Sequence, residues 1–209
     1  MARYIDPRCR LCRRVGKKLF LKGAKCYSPK CAVERRGQRV IGNRGQRRRN
    51  PSERGLQLTE KQKAREIYGL LEKQFRRFFS IASKTPGVTG DTLVQLLERR
   101  LDNTVYRAGL AHSRPQARQL VRHGHFQVNG RRTDIPSYLV KPGDILAWGP
   151  QGLNSQYLKD LKENPVIQPL PAWLSRDEEL TTIKVITMPS REEGESAFDA
   201  KAIVEFYAR

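Results

Sequence analysis

Four cysteines carry the most specific chemistry in this 209-residue sequence: Cys9, Cys12, Cys26 and Cys31, spaced C-x2-C-x13-C-x4-C. Two close pairs joined by a loop suit a tetrahedral four-thiolate site, because each pair clamps one edge of the tetrahedron. The sequence shows no apolar leader, so a cytosolic, reducing location is expected, and clustered cysteines there read as metal ligands before disulfides. Structural Zn2+ is the expected occupant. The segment is too short and too basic to bury a core, so the metal would supply its folding free energy, on the order of 10 kcal/mol. An iron-sulfur cluster on the same four thiolates is the alternative, and unligated reduced cysteines are the third reading. A catalytic zinc is not expected, since no fourth position stays open.

A second stretch, Ser113 to Gly130, has the residues to grip phosphates. Ser113 is a good N-cap, Pro115 suits a first helical turn, and Gly124 suits a helix stop. Ala117, Leu120 and Val121 share an apolar face, with Arg114, Arg118 and Arg122 recurring every fourth residue beside it. Phe126 and Val128 alternate around Gln127, and Asn129-Gly130 asks for a type I′ hairpin turn, with Arg131 and Arg132 on the returning strand. The three arginines are expected to contact phosphates, or else to form only a solvated helix face. Ser113 and the N–H groups at the helix start are expected to take another phosphate. Gln116, Gln119 and Asn129 are candidates for sugar or base-edge bonds, and His123 and His125 either stack on a base or pack.

Charge favours the phosphate reading. Lys and Arg total 41 against 21 Asp and Glu, a formal net charge of +20. A polyanion is the implied partner, nucleic acid before an anionic membrane surface. Residues 1–55 hold 18 basic and 3 acidic residues, 56–148 hold 16 and 8, and 149–209 hold 7 and 10. The polyanion therefore meets the first two thirds. Near the cysteines, Arg3, Arg10, Arg13, Arg14, Lys17, Lys18, Lys22, Lys25, Lys30, Arg35 and Arg36 are candidate contacts. Residues 35–55 are rich in Gly, Arg, Gln and Asn and nearly devoid of apolar side chains. They read as an arm that orders on nucleic acid, through Arg44, Arg47, Arg48 and Arg49. No apolar run is long enough to span a membrane.

Positioning these groups falls to a mainly helical body. Thr59-Glu60 starts one helix, which Gly69 punctuates. A second carries Phe75, Phe78, Phe79 and Ala82 on a core face. Asp91 caps a third, read as running to about Arg107 with Leu93, Leu96, Leu97, Leu101 and Val105 inward. After the hairpin, Pro142-Gly143-Asp144 turns into an apolar strand at Ile145, Leu146 and Trp148. Tyr157 to Leu161 is amphipathic, and short strands are expected at 183–187 and 202–207.

The stretch from Arg100 to Leu146 resembles the small RNA-binding module named after ribosomal small-subunit protein four. The resemblance rests on Arg100-Leu101-Asp102, the S-R-x-x-A-R-x-L-V helix, G-H-x-x-V-N-G and the Lys-Pro-Gly-Asp turn. RYIDPRCRLCRR, KCYSPKCAVERR, EKQKAREIYGLLEKQFRRFF and the ending IVEFYAR are similar to the bacterial ribosomal family itself. The four cysteines resemble its zinc-containing subgroup, whereas 149–200 matches loosely. The resemblance implies a primary binder of small-subunit (16S) ribosomal RNA. Such a protein grips a multi-helix junction and nucleates assembly of the subunit body. It also implies contact with small-subunit ribosomal protein five and other subunit-body proteins, an effect on translational accuracy, and a place near the mRNA entry path. Some members repress their own mRNA.

The expected fold class is α+β: a mainly helical body, a metal-bound basic N-terminal extension and a helix-plus-hairpin module. The expected domains are 1–45 (cysteine segment and arm), 46–98 (helical body, completed by 170–209), 99–165 (RNA-binding module) and 166–209 (a C-terminal segment packing back on the body). Two other function classes compete. An RNA-modifying or regulatory protein could use the module as a tether, but the 61 residues after 148 contain no histidine or cysteine. A zinc-dependent DNA-binding regulator would need a recognition helix behind the cysteines. The reading is therefore a structural, non-enzymatic ribosomal protein with no small-molecule substrate and no membrane partner, located in the cytoplasm on the ribosome.

Overall fold

In a computed structural model of the chain, described for residues 4–36, 52–166 and 169–208, two compact units divide the sequence: 1–94 with 195–209, and 95–194.

The first unit is helical. The cysteine segment forms α1 (Arg8–Val15), α2 (Ala24–Tyr27) and α3 (Ala32–Arg36). α4 (Glu53–Ile67) starts six residues before the expected Thr59, because the Ser52 side chain accepts from the Gly55 N–H and caps the helix there. α5 (Glu72–Lys84) buries Phe75 and Ala82 and leaves Phe78 and Phe79 half-buried. α6 (Thr89–Glu98) carries the chain across residue 94 into the second unit and ends earlier than expected. Arg99 and Arg100 leave the helix to pair with the 138–140 backbone: the Val140 N–H donates to Arg99 O at 2.9 Å and the Leu101 N–H to Tyr138 O at 2.8 Å. A separate helix, α7 (Leu101–Arg107), then begins.

The second unit continues with α8 (Arg114–Arg122), β1 (Phe126–Val128), β2 (Arg131–Arg132), β3 (Ile145–Trp148), α9 (Pro150–Leu153), α10 (Gln156–Glu163), β4 (Leu174–Arg176) and β5 (Thr182–Val185). The five strands form one antiparallel sheet in the order β2-β1-β3-β5-β4. β4 and β5 thus complete the module's own sheet, and the second unit runs to 194, past the expected boundary at 165. β5 pairs with β3, with Ile183 opposite Leu146, and β4 pairs with β5. Trp173, Phe126, Leu146 and Ile183 are essentially fully buried in the core. Trp148 donates from Nε1 to Leu180 O at 2.9 Å. Tyr157 donates to Leu110 O at 3.1 Å, and burial pushes its phenol up to about 12.

The last element, α11 (Ala200–Ala208), returns to the first unit against α4. The β-branched and aromatic run at 202–207 reads as a strand, yet it is helical. Ala200, Ile203 and Tyr207 fall at helical spacing, and burial of Ala200 and Ile203 outweighs local propensity. Phe79 stacks on Tyr207 at 4.3 Å, and the Tyr207 hydroxyl donates to Glu72 Oε1 at 3.0 Å.

Two predictions arise from the second unit. A Cβ on Gly152 would sit 2.5 Å from His125 O and 2.6 Å from Trp148 Cε3. Neither neighbour is a flexible tip, so Gly152→Ala is expected to cost about 1–3 kcal/mol in urea unfolding. The second concerns Asp177. Partial burial disfavours its charge, but bonds from Thr181 and Thr182, including N–H donors at 2.7 and 3.0 Å, outweigh that and hold the carboxyl at about 2. The folded value lies below the unfolded one, so this stability is complete above about pH 4 and is lost as pH falls toward 2. An Asp177→Asn variant is expected to show a flatter acid-unfolding profile across that window.

Candidate nucleic-acid interface

α8 is closed at both ends by its own sequence. Ser113 Oγ accepts from the Gln116 N–H at 3.4 Å, and Gln116 Oε1 accepts from the His112 N–H at 3.0 Å. Gly124 adopts φ +74°. Its N–H donates to Val121 O and the His125 N–H to Leu120 O, the double bond of a Schellman end. The chain then enters β1, turns at Asn129 (φ +50°) and Gly130 (φ +76°), and returns along β2 with Arg131 and Arg132 exposed.

The arginine stripe departs from expectation. Arg118 and Arg114 are only 6% and 7% exposed. Their four-residue spacing puts them on one face, but that face meets α7. Arg118 donates from Nη1 to Asp102 Oδ2 at 3.0 Å. Arg100 clamps the same carboxylate through Nε and Nη2 at 3.1 and 2.9 Å. Arg114 donates from Nε to Asn103 Oδ1 at 2.7 Å and lies 4.6 Å over the Tyr106 ring. Asn103 donates in turn to Glu98 Oε2 at 2.7 Å, and Glu98 also accepts two bonds from Arg107. Buried carboxylates need cations beside them, so Asp102 and Glu98 draw arginines inward. The expected phosphate stripe is therefore corrected to one solvent-facing member, Arg122.

Three polar candidates make hydrogen bonds within the fold, with Ser113 buried, Gln116 half-buried and Asn129 exposed. Ser113 and Gln116 serve the α8 start as described. Asn129 donates to Asp144 Oδ1 at 2.8 Å and accepts from the Ile145 N–H at 2.9 Å, tying the hairpin tip to β3. Its amide holds the turn while the residue stays exposed at the hairpin tip.

What remains at the surface lies around the α8 C-terminus and the hairpin: Gln119, Arg122, His123, Asn129, Arg131 and Arg132, with His125 half-buried. Gly124 organises part of this group. A Cβ there would fall 2.4 Å from Arg132 Nε and 2.8 Å from Cζ, so the guanidinium lies directly on the glycine backbone. The His123 and His125 rings stand 6.1 Å apart. Burial, then the neighbouring His123, push His125 down, which favours its neutral ring at physiological pH.

In the first unit, no acidic residue occurs from position 7 to 33, while nine cations do. Arg10, Lys17, Lys22, Lys25, Lys30 and Arg35 are exposed, and Arg13 is half-buried. Arg14 pairs with Glu66 and Lys18 with Glu34, so these two have internal carboxylates. Arg36 closes α3. Arg3, Arg44, Arg47, Arg48 and Arg49 lie outside the described residues.

Cys9 and Cys12 sit one turn apart on α1, Cys26 on α2, and Cys31 just before α3; all but Cys9 are buried. Burial pushes the Cys12 and Cys26 thiols up, and the charges of neighbouring cysteines add to the rise. Each sulfur accepts a backbone N–H, from Leu19 and from Lys22 (3.3 Å), respectively. Among the described residues, no three His, Cys, Asp or Glu side chains are gathered closely enough to hold a metal ion.

A helix closed by a Schellman glycine, a basic hairpin on an antiparallel sheet and an acid-free cationic segment define an RNA-binding protein built on a helix-and-hairpin module. Residues 3–98 match the family model of the ribosomal protein S4/S9 N-terminal domain, and residues 99–146 match the S4 domain. The chain is 54% identical over 209 residues to small ribosomal subunit protein uS4 of Pelotomaculum thermopropionicum and 53% to that of Acetivibrio thermocellus. It is 52% identical over 210 residues to that of Halothermothrix orenii, with both chains fully covered in all three comparisons. The chain belongs to the uS4 family, whose members are structural ribosomal proteins and not enzymes.

Proposed function

We propose that this chain is a structural protein of the small ribosomal subunit whose ligand is 16S ribosomal RNA, gripped at a multi-helix junction. Its binding nucleates assembly of the subunit body in the cytoplasm. Small-subunit protein five and other subunit-body proteins are its neighbours, with mRNA near the entry path, and the contact with protein five bears on accuracy. One observation carries the reading: each unit presents its own solvent-facing cation group, the acid-free segment at 7–33 in one and Arg122, Arg131 and Arg132 in the other. RNA helices hide base edges in a deep, narrow groove, so phosphates, 2′-hydroxyls and junction nucleotides are what such surfaces engage. The test is co-sedimentation with small ribosomal subunits at low ionic strength, with release as salt is raised. Co-sedimentation supports the reading, and a chain that stays in the supernatant at low salt would overturn it.

Zn2+ is the proposed cofactor of Cys9, Cys12, Cys26 and Cys31. The donor chemistry fits: four thiols in one short segment, three of them buried, with backbone N–H groups aimed at Cys12 and Cys26. Bound there, the ion would supply folding energy and no catalysis. Purified full-length protein is expected to carry one equivalent of zinc by elemental analysis, and Cys9→Ser is expected to lower it. Unchanged stoichiometry in the variant would count against a four-cysteine site.

A further inference from the structure

Between α1 and α2 the chain does something costly. Phe20 takes φ +51°, the left-handed region that a bulky residue seldom enters. The residue stays 38% exposed, and its ring stacks on Tyr27, which is 70% exposed, with centroids 5.0 Å apart and planes inclined by 30°. Elsewhere in this loop apolar side chains go inward: Leu19 and Leu21, on either side of Phe20, are buried. Burial therefore accounts for its neighbours but not for the outward-facing pair.

We infer that Phe20 and Tyr27 form a stacking platform for an unpaired nucleobase of the RNA. The inference rests on the RNA-binding reading above and adds to it a base-contacting site in the cysteine segment. Three observations combine. The platform is aromatic and pre-assembled, so a base meets a π-face that is already ordered. The backbone between the rings carries two exposed cations, Lys22 and Lys25, and Lys17 and Lys30 flank them. With no carboxylate from position 7 to 33, the field around the rings is cationic. An aromatic face set among cations is the arrangement that binds single strands, the cations holding phosphates while a base stacks. A protein partner would meet nine cations here with no acidic counterpart from this segment, so the charge favours nucleic acid. Stacking carries no hydrogen-bond code, so the site would accept any unpaired base. That suits a junction nucleotide splayed out of its helix.

The test uses the full-length chain and small-subunit ribosomal RNA. Ultraviolet cross-linking followed by mass spectrometry is expected to place a nucleotide adduct on Phe20 or Tyr27. In filter binding, Tyr27→Leu is expected to weaken affinity roughly ten-fold, because it keeps an apolar side chain and loses the π-face, while Tyr27→Trp is expected to restore binding. Tyr27 is largely exposed, so these changes leave the fold intact, and matched melting temperatures verify it. Equal affinity for wild type, Tyr27→Leu and Tyr27→Trp, with RNA still bound, would overturn the platform alone. Capture of a ribosomal protein by these rings, with RNA affinity unaltered, would overturn it too. A wild-type chain that fails to bind the RNA would overturn the functional reading, and the platform with it.

Discussion

Replacing Asp102 with alanine is expected to lower the stability of the 95–194 unit by about 3–5 kcal/mol. The Asp102 carboxylate is buried and accepts from two buried guanidiniums, those of Arg100 and Arg118. Alanine removes a carboxylate that both cations bond to inside the core. Breaking a buried pair from one side costs far more than replacing the whole group with apolar residues. Denaturant unfolding of the full-length variant checks this. A loss under 1 kcal/mol would mean that water or another carboxylate replaces Asp102. The same geometry bears on binding experiments. Arg118→Glu would place a second carboxylate against Asp102, so weakened RNA binding in that variant would report misfolding and not the removal of a phosphate-binding cation.

Much of the RNA-binding module is legible in the sequence because its punctuation is local. Ser113, Gly124 and Asn129-Gly130 dictate a cap, a stop and a turn through their own backbone preferences, and the structure has all three. The direction of the arginine stripe is not legible in this way. A four-residue spacing fixes that Arg114, Arg118 and Arg122 lie along one side of a helix, but which side meets another element depends on Asp102 and Asn103, a helix away. The signal was present in Arg100-Leu101-Asp102-Asn103, where a carboxylate and an amide fall among apolar core positions, yet only the packing of α7 on α8 reveals their partners. The same limit applies to β4 but not to β5. β5 overlaps the strand expected at 183–187 and pairs with β3, whereas β4 is three residues long, too brief for an alternating pattern to stand out, and forms because β5 offers an edge to pair with. In the cysteine segment, spacing identifies the donor chemistry, while the stacking of Phe20 on Tyr27 depends on a backbone angle that no propensity foretells.

The second large effect concerns salt. The exposed cations Arg10, Lys17, Lys22, Lys25, Lys30, Arg122, Arg131 and Arg132 are expected to release counterions from at least about six phosphates, so affinity should fall roughly 10³- to 10⁵-fold between about 50 and 200 mM salt. A shallow dependence would indicate binding through apolar or protein contacts. Because the two cation groups belong to separate units, charge reversal in one should reduce the slope without abolishing it. Gly124→Ala offers a neutral control, since it displaces the Arg132 guanidinium without changing the charge.

The most direct measurement is a filter-binding titration of full-length Arg122→Glu/Arg132→Glu protein against small-subunit ribosomal RNA over a range of salt. Both side chains are exposed, so the melting temperature should not change. The surface formed by Arg122, Arg131 and Arg132 predicts weaker binding at every salt concentration and a salt slope smaller by about 2, one for each phosphate that the variant no longer neutralises. Wild-type affinity with an unchanged slope would contradict it.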